Sequence, residues 1–151
     1  MEPQLNAHNK AEFPPMHTAE HILNGTMVKM FGCPRSRNAH IERKKSKADY
    51  ELAEAPTEEQ IREVEAEVNR IIQTDMPITS RYVTRNEVPK GIDLSKLPAD
   101  ASETLRLVYV GDYDVCPCLG AHVEHTSEIG NFRISSTSYN DGNFRIVFRV
   151  G

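Results

Sequence analysis

The sequence predicts an α+β fold in which a mainly antiparallel β-sheet packs against two long helices. Two segments with apolar residues at helical spacing, several short alternating segments and one strong hairpin turn support this prediction. The chain has 151 residues, of which 38% are hydrophobic and 26% charged, as is typical of one soluble domain. We therefore expect a single domain over residues 16–151, after a leader over residues 1–15.

The first predicted helix covers residues 17–30. Apolar side chains recur along it at helical spacing, Pro14 and Pro15 precede it, and Gly32 follows as a stop signal. Gly25 weakens this pattern without breaking it. The sequence therefore predicts a helix of about four turns near the start of the chain.

The second predicted helix covers residues 57–73 and has the clearest pattern in the chain. Thr57 and Gln60 form a capping box, and Pro77 ends the segment. An apolar stripe runs along one face, opposite an acidic outer face; it consists of Ile61, Val64, Val68, Ile71 and Ile72.

The remaining segments predict strands and one long connection. Residues 38–43 and 47–52 alternate around a basic turn. Asp141-Gly142 favours a tight hairpin, so the two strands beside it should be antiparallel neighbours. The other predicted strands cover residues 78–84, 104–110, 131–138 and 143–150, and a loop is predicted over residues 86–102.

Two pairs of potential metal ligands lie near opposite ends of the chain. His17 and His21 are four positions apart, so one helix face would present both imidazoles. Cys118 and His122 share that spacing in a segment where Gly120 predicts a tight loop leading into a strand. Together the four supply the nitrogen and sulfur donors of a tetrahedral zinc ion, placed between the first helix and a late loop.

Coincidence is the alternative for each pair taken alone, because two histidines one helical turn apart are common without a metal. Their joint occurrence favours a metal, since the chain has only six histidines and three cysteines. Such an ion would close a long chain segment and couple metal binding to folding.

Composition excludes several classes of protein. The chain has no apolar run long enough to cross a membrane, and residues 1–13 lack the apolar core of an export signal. The odd number of cysteines, with Cys116 and Cys118 beside the predicted metal site, fits a reducing compartment. We expect a cytoplasmic protein, and the sequence carries no prediction of its oligomeric state.

The ordered motifs resemble the editing domain of alanyl-tRNA synthetase, and most closely its freestanding form, the AlaX proteins. The resemblance covers residues 16–134. It is carried by HTAEH at His17, Phe31-Gly32, residues 40–52, the helix 57–73, VGDYD at Val110, Cys118-x-x-x-His122-Val123, TSEIG at Thr126 and FRI at Phe132. The editing domain of threonyl-tRNA synthetase shares both metal half-sites.

The resemblance implies a zinc-dependent deacylase that hydrolyses tRNA(Ala) mischarged with serine or glycine. One alternative is another mischarged substrate such as Ser-tRNA(Thr). The others are a non-catalytic, zinc-stabilised RNA-binding module and a purely structural zinc fold. A length of 151 residues leaves no room for an aminoacylation domain, and the leader leaves none for the barrel of longer AlaX forms. We therefore expect the compact, editing-only type.

Catalysis is expected to act through the metal held by His17, His21, Cys118 and His122, which would activate water and polarise the ester carbonyl. Four protein ligands complicate this expectation, because catalytic zinc commonly keeps one position open. Either one ligand gives way to water, or the metal chiefly organises the pocket.

Several further residues are candidates for contact with the substrate. His40 falls where AlaX-like sequences also have a histidine, and either positions water or substrate or belongs to the sheet. Thr18 either lines the pocket or has a structural role. Ser36 and Ser46 are candidates to bond the hydroxyl of an attached serine.

Two acidic residues are candidates for a place behind the ligands. Asp114 is expected to orient a ligand imidazole. Glu20 either supports the ligands in the same way or faces solvent.

The chain departs from the family's Cys-Gly-Gly-Thr-His pattern, because it has Leu119, Gly120 and Ala121 between the two late ligands. It also gains Cys116, which we expect in the pocket wall or behind the ligands. Cys116 and His125 are the alternatives as metal ligands.

A basic strip is expected to contact tRNA phosphates, although the net charge of the chain is −4. The opposing prediction is an ordinary solvated hairpin. The absence of tryptophan argues against a base-stacking platform. The strip consists of Arg35, Arg37, Arg43, Lys44, Lys45 and Lys47.

Overall fold

The computed structural model describes residues 13–36, 38–84, 104–118 and 120–151. Its helices are α1 (Pro14–Phe31) and α2 (Glu58–Gln73), with a 3₁₀ turn at Thr126–Ile129. Its strands are β1 (Asn38–His40), β2 (Ser46–Glu51), β3 (Ile78–Thr84), β4 (Thr104–Val110), β5 (Asp114–Pro117), β6 (Phe132–Asn140) and β7 (Asn143–Val150). The predicted loop over residues 86–102 and most of the predicted leader lie outside the described residues.

The prediction of an α+β fold with antiparallel strands and two long helices is confirmed. The described strands form two sheets rather than one, with the orders β1-β2-β7-β6 and β3-β4-β5. All their pairings are antiparallel. The predicted hairpin joins β6 to β7, and both Asp141 and Gly142 have positive φ, which a two-residue hairpin turn of this kind requires.

Helix α1 begins earlier than predicted. Pro14 and Pro15 form its first turn instead of preceding it. Proline is accepted there because it lacks a backbone N–H, and an N–H in the first turn would have no partner within the helix. The helix ends as predicted at Gly32, whose φ is 67° and whose N–H donates to the Val28 carbonyl. Nearly every residue from Met16 to Met27 is buried, so α1 is the central helix of the fold.

Helix α2 covers one face of the core. Its predicted capping box is confirmed: the Gln60 amide donates to Thr57 Oγ1 over 3.1 Å, and the Thr57 amide donates to Gln60 Oε1 over 2.9 Å. The helix ends at Gln73, before Pro77. Of its predicted apolar stripe, Ile61 is only partly buried; the buried members are Val64, Val68, Ile71 and Ile72.

The main core lies between the four-stranded sheet and the two helices. The sheet contributes large side chains to it, among them Tyr50, Phe132, Phe144, Ile146 and Phe148. The helices contribute Met16, Ile22, Leu23 and Met27 from α1 and the buried stripe of α2. A smaller cluster of Val83, Leu105 and Leu107 belongs to the three-stranded sheet.

The segment after β5 is held at both ends. At its start, the Cys118 amide donates to the Arg106 carbonyl and so continues the β4–β5 ladder. At its end, Thr126 Oγ1 donates to the carbonyls of Ile71 and Ile72 at the end of α2. The segment leads into the 3₁₀ turn rather than into a strand, which corrects the prediction. These anchors place Cys118 and residues 120–123 against α1.

Two side chains of α2 bond backbone groups at the start of the free edge of β6. Asn69 bonds both backbone groups of Phe132, donating to its carbonyl over 2.9 Å and accepting its N–H over 2.8 Å. Glu65 accepts the amide of Ile134 over 2.8 Å. Because unpaired buried backbone groups are costly, these bonds add to the apolar stripe in holding the helix against the sheet.

The variant Asn69→Ala should lower the free energy of unfolding by about 2 kcal/mol, because it leaves the buried amide and carbonyl of Phe132 unpaired. Urea denaturation measures this loss. Gln73→Ala, at an exposed position of the same helix, is the matched control and should change stability little. Equal losses in the two variants would contradict the proposed bonding role.

Candidate metal centre

Four side chains from two distant parts of the chain meet beside α1. His17 and His21 lie one turn apart on the helix, while Cys118 and His122 lie in the segment after β5. One potential ligand atom from each lies within 4.8 Å of the other three. The predicted half-sites therefore come together into one cluster that can hold a metal ion.

The distances within the cluster fit a tetrahedral ion. Cys118 Sγ lies 3.2 Å from His17 Nε2 and 3.5 Å from His122 Nε2. A tetrahedral zinc ion with ordinary bond lengths separates a sulfur ligand from a nitrogen ligand by about 3.5 Å. The donor set, three imidazoles and one thiol, is also one that zinc accepts.

Two of the imidazoles are oriented by hydrogen bonds from their other nitrogen. His17 Nδ1 lies 3.1 Å from the carbonyl oxygen of Ala121, and His122 Nδ1 lies 2.9 Å from Thr18 Oγ1. With protons on both Nδ1 atoms, the Nε2 atoms that face Cys118 are left as lone-pair donors. Bonds of this kind fix the tautomer and the ring orientation of metal-binding histidines.

Thr18 contacts the segment that carries the two late ligands. Its side chain is fully buried, and Oγ1 accepts the Val123 amide over 3.2 Å in addition to its contact with His122. The hydroxyl thus joins α1 to the segment that carries the two late ligands. Of the two predicted roles for Thr18, these contacts favour the structural one.

His21 faces a buried ion pair. Its Nδ1 lies 3.9 Å from Asp114 Oδ2, and Asp114 is held by two bonds from Arg35, of 2.6 and 3.2 Å. Gly25 allows this approach, because a Cβ at that position would lie 3.1 Å from Asp114 Oδ1. The glycine that weakened the helix prediction therefore lets β5 bring a carboxylate up to a candidate ligand.

Burial changes the proton affinity of two cluster members. It raises the pKa of the Cys118 thiol to about 12, against an opposing backbone hydrogen bond at Gly120. Burial also lowers the pKa of His122 to about 3, with further contributions from His17 and Arg106. His122 is therefore held in the neutral form that binds metals, whereas Cys118 needs a nearby cation to become a thiolate.

The fixed charges around the cluster have mixed signs. Glu20 and Asp114 supply two carboxylates near the Arg35 guanidinium, and Arg106 lies close enough to Cys118 and His122 to affect the pKa of each. A divalent ion with a Cys118 thiolate would add one net positive charge beside these two carboxylates and two guanidiniums. The donor set, rather than the fixed charge, therefore carries the argument for zinc.

A chain of buried hydrogen bonds connects α1 to β2 beside the cluster. Tyr50 donates to Asn24 Oδ1 over 2.5 Å, and Asn24 Nδ2 donates to Glu20 Oε2 over 2.6 Å. Burial raises the pKa of Tyr50 well above its ordinary value, so its hydroxyl stays a donor. Glu20 is only 6% exposed, so the predicted solvent-facing alternative is wrong.

The other predicted substrate contacts differ in their exposure to solvent. His40 lies on β1 with its side chain largely exposed, and its Nε2 is 3.4 Å from Glu42 Oε2. Ser36 is fully buried. Ser46 is also buried, and its hydroxyl bonds both the amide and the carbonyl of Glu42.

Cys116 and His125 were alternatives as metal ligands. Cys116 lies half-buried on β5, and its thiol donates to the Pro117 carbonyl over 3.3 Å. His125 is exposed and lies 3.9 Å from Asp75. Among the described residues, the cluster of converging donors includes neither of them.

The basic strip is only partly exposed. Arg43, Lys44, Lys45 and Lys47 are exposed, and Arg43 lies 4.9 Å from the ring centre of Phe13, just before α1. Arg35 was predicted to belong to the strip but is largely buried in its pair with Asp114. Arg37 lies outside the described residues.

Sequence reasoning missed the part that two arginines play in shaping the site. Arg35 secures Asp114, and Arg106 donates to the Gly120 carbonyl over 2.7 Å, bracing the segment between the late ligands. Arg106 lies within the apolar, strand-like segment 104–110, and the sequence does not show which group its side chain reaches. A charged residue inside an apolar strand was the one available signal.

We expect Thr18→Val to weaken metal binding about 10- to 100-fold, because the hydroxyl that orients His122 and holds Val123 is lost. Competition with a chromogenic chelator measures the affinity. Thr18→Ser keeps the hydroxyl and should therefore retain most of the metal affinity. Similar affinities for the valine and serine variants would show that Thr18 does not act through its hydroxyl.

Gly25→Ala should lower metal affinity while changing stability little. Alanine favours the helix by about 1 kcal/mol, but its Cβ would press on the buried Asp114–Arg35 pair beside His21. Metal competition and urea denaturation on one preparation separate these effects. Unchanged affinity would contradict a role for the close approach of Asp114 in orienting His21.

Comparison with known proteins identifies what the chain is similar to. Residues 105–147, which contain Cys118 and His122, match the family described as "Threonyl and Alanyl tRNA synthetase second additional domain". The alanine–tRNA ligase of Halorubrum lacusprofundi is 34% identical over 151 residues, which are 98% of this chain and 16% of that protein.

Two further relatives show the same pattern. The alanine–tRNA ligase of Methanococcus vannielii is 28% identical over 98% of this chain and 17% of its own length. That of Natronomonas pharaonis is 32% identical over 89% of this chain and 15% of its own length. The chain thus spans about a sixth of the length of the curated relatives it matches. Nearly the whole chain is therefore similar to one segment of these alanine–tRNA ligases, and residues 105–147 match the threonyl and alanyl tRNA synthetase second additional domain.

Proposed function

We propose that this chain is a zinc-dependent aminoacyl-tRNA deacylase that acts in the cytoplasm on tRNA(Ala) mischarged with serine or glycine. The observation that carries the proposal is the convergence of His17, His21, Cys118 and His122 within 4.8 Å. The similarity to alanine–tRNA ligases supports tRNA(Ala) as the RNA.

The reaction sets two chemical requirements. The ester joins an amino acid to a ribose hydroxyl of tRNA, and its hydrolysis needs an activated water and stabilisation of a developing oxyanion. Bound zinc supplies both, because it lowers the pKa of water and polarises a carbonyl. The chain's residues hold the four donors in place for this chemistry.

Each proposed ligand has its own support in the protein. The Ala121 carbonyl orients His17, the Thr18 hydroxyl orients His122, and Asp114 faces His21. The Cys118 amide is bonded to β4, which limits the movement of its side chain. These supports come from several elements, so the site is organised before substrate arrives.

The amino acid is proposed to bind beside the cluster. Cys116 is the candidate for the pocket wall, because it is close enough to Cys118 to contribute to the raised pKa of that thiol. His40, Ser36 and Ser46 remain proposed contacts. Thr18 is proposed to act on the ligands rather than on the amino acid, since its hydroxyl already bonds Val123 and His122.

The RNA is proposed to contact the exposed basic turn of Arg43, Lys44, Lys45 and Lys47. Stacking of Arg43 on Phe13 brings this turn to the start of α1, one helical turn before His17. Phosphate contacts there would hold the acceptor end near the cluster, with an affinity that falls as salt rises.

Ser-tRNA(Thr) is a second candidate substrate. The matched family includes the corresponding domain of threonyl as well as alanyl tRNA synthetases, which favours testing both RNAs. The chemistry at the cluster is the same for either tRNA.

Purified protein should release serine or glycine from tRNA(Ala) and spare Ala-tRNA(Ala), with zinc content measured on the same sample. Chelation or Cys118→Ser should reduce the rate more than about 100-fold, because the proposed metal loses its site. Cys33→Ser changes a buried cysteine outside the cluster and should retain activity.

Two results would contradict the deacylase proposal. One is the failure of folded, zinc-loaded protein to release any amino acid from the tRNA(Ala) and tRNA(Thr) substrates. Tight tRNA binding in that experiment would indicate a non-catalytic RNA-binding module. The other is full activity of the Cys118→Ser variant after chelation, which would exclude a metal-dependent reaction.

A further inference from the structure

The four-stranded sheet has one face in the core and one face that no described element covers. Buried side chains alternate along β7 with more exposed ones, so residues such as Phe148 face the helices while their neighbours face outward. On β2, Lys47 and Glu51 are exposed on the outward face, whereas Asp49 is buried in its pair with Arg145. The charged residues on the outward face are His40, Lys47, Asp49, Glu51, Arg133, Arg145 and Arg149.

Two arginines oppose each other directly on this face. Arg133 on β6 is the register partner of Arg149 on β7, and both are exposed. Like charges at opposed positions of antiparallel strands destabilise the pair. The contact of Arg149 Nε with Ser135 Oγ, at 3.0 Å, fixes one side chain but adds no negative charge.

More cations continue this arrangement towards β2. Lys47 pairs in register with Val147, so Lys45 precedes β2 at about the level of Arg149. We call Lys45, Lys47, Arg133 and Arg149 the basic sheet surface. It runs into the basic turn at Arg43 and Lys44, which adjoins the start of α1.

The acidic residues near this surface are already engaged. Asp49 accepts two bonds from Arg145, of 2.7 and 3.0 Å, and Glu42 lies beside His40. Glu51 lies at the opposite end of β2 from Lys47. Glu65 of α2 lies at the edge of β6 next to Arg133, where it accepts the Ile134 amide. The four cations of the basic sheet surface outnumber this carboxylate and therefore leave a region of net positive charge.

We propose that the basic sheet surface binds the phosphate backbone of the double-stranded acceptor stem of tRNA. This proposal rests on the proposed function, because it assigns the stem of the same substrate to a second surface. A polyanion complements opposed arginines that are otherwise costly to the fold. The surface is continuous with the turn beside His17, so a bound stem has a path to the cluster.

The chemistry of the face favours a duplex backbone over unpaired bases. The uncharged outward residues of β6 include Ser136 and Ser138, whose hydroxyls can donate to phosphates. Among the described outward residues of this sheet there is no Phe, Tyr or Trp on which a base could stack, and the one ring there, the imidazole of His40, lies 3.4 Å from Glu42. Duplex RNA is recognised mainly through its shape and backbone, which suits such a surface.

Binding of an acceptor-stem RNA hairpin that carries no amino acid tests the proposal. The double variant Arg133→Thr with Arg149→Thr should bind about 10- to 100-fold more weakly at about 0.1 M salt. The slope of log affinity against log salt, which is negative, should become shallower by about 2. Its Tm should be no lower than that of the unchanged chain, because repulsion between the arginines is removed.

A matched control removes the same charge elsewhere. Arg62→Ala with Arg81→Thr changes two exposed arginines, one on α2 and one on β3, and should keep the affinity and the slope. Equal losses in both double variants, or no loss in the first, would overturn the proposal. Binding to vesicles of anionic lipid but not to the hairpin would overturn it too.

Binding and deacylation, measured on the same preparation, separate a failure of this proposal from a failure of the proposed function. The binding experiment uses RNA without an attached amino acid, so it does not depend on hydrolysis. If the unchanged chain binds the hairpin through Arg133 and Arg149 but releases no amino acid from charged tRNA, the proposed function fails and the surface stands. If it deacylates charged tRNA while the first double variant binds normally, the surface fails and the proposed function stands.

Discussion

The rest of the site depends on the contact between α1 and the segment after β5. Thr18 Oγ1 accepts the Val123 amide and meets His122, while the Ala121 carbonyl meets His17. These bonds join residues more than a hundred positions apart in the chain, so they connect its two ends. The candidate ligands converge because this contact fixes the helix and the segment relative to each other.

The elements around that contact are arranged to support it. The ladder between β4 and β5 delivers Cys118, and Thr126 secures the far end of the segment to α2. Arg35 and Asp114 form a buried pair beside His21, on the side of α1 opened by Gly25. The cluster is therefore supported by strands, a turn and a helix, each held by bonds that do not involve a metal.

Much of the fold and the four donors could be predicted from sequence, because each left a local signal. The capping box of α2, the Asp141-Gly142 turn and the spacing of His17 and His21 all act within a few residues. The division into two sheets, the burial of Glu20 and the pairing of Arg35 with Asp114 left no such signal. They depend on contacts between distant segments, which residue type and spacing alone do not specify.

The bonds from Asn69 and Glu65 to β6 also have a consequence for how the protein behaves at high concentration. A free sheet edge offers a template on which a strand from another molecule can assemble. Here α2 occupies the backbone groups of Phe132 and Ile134 on that edge. These bonds lie away from the candidate ligands, so this part of the edge should stay closed to the addition of a strand even after the metal is removed.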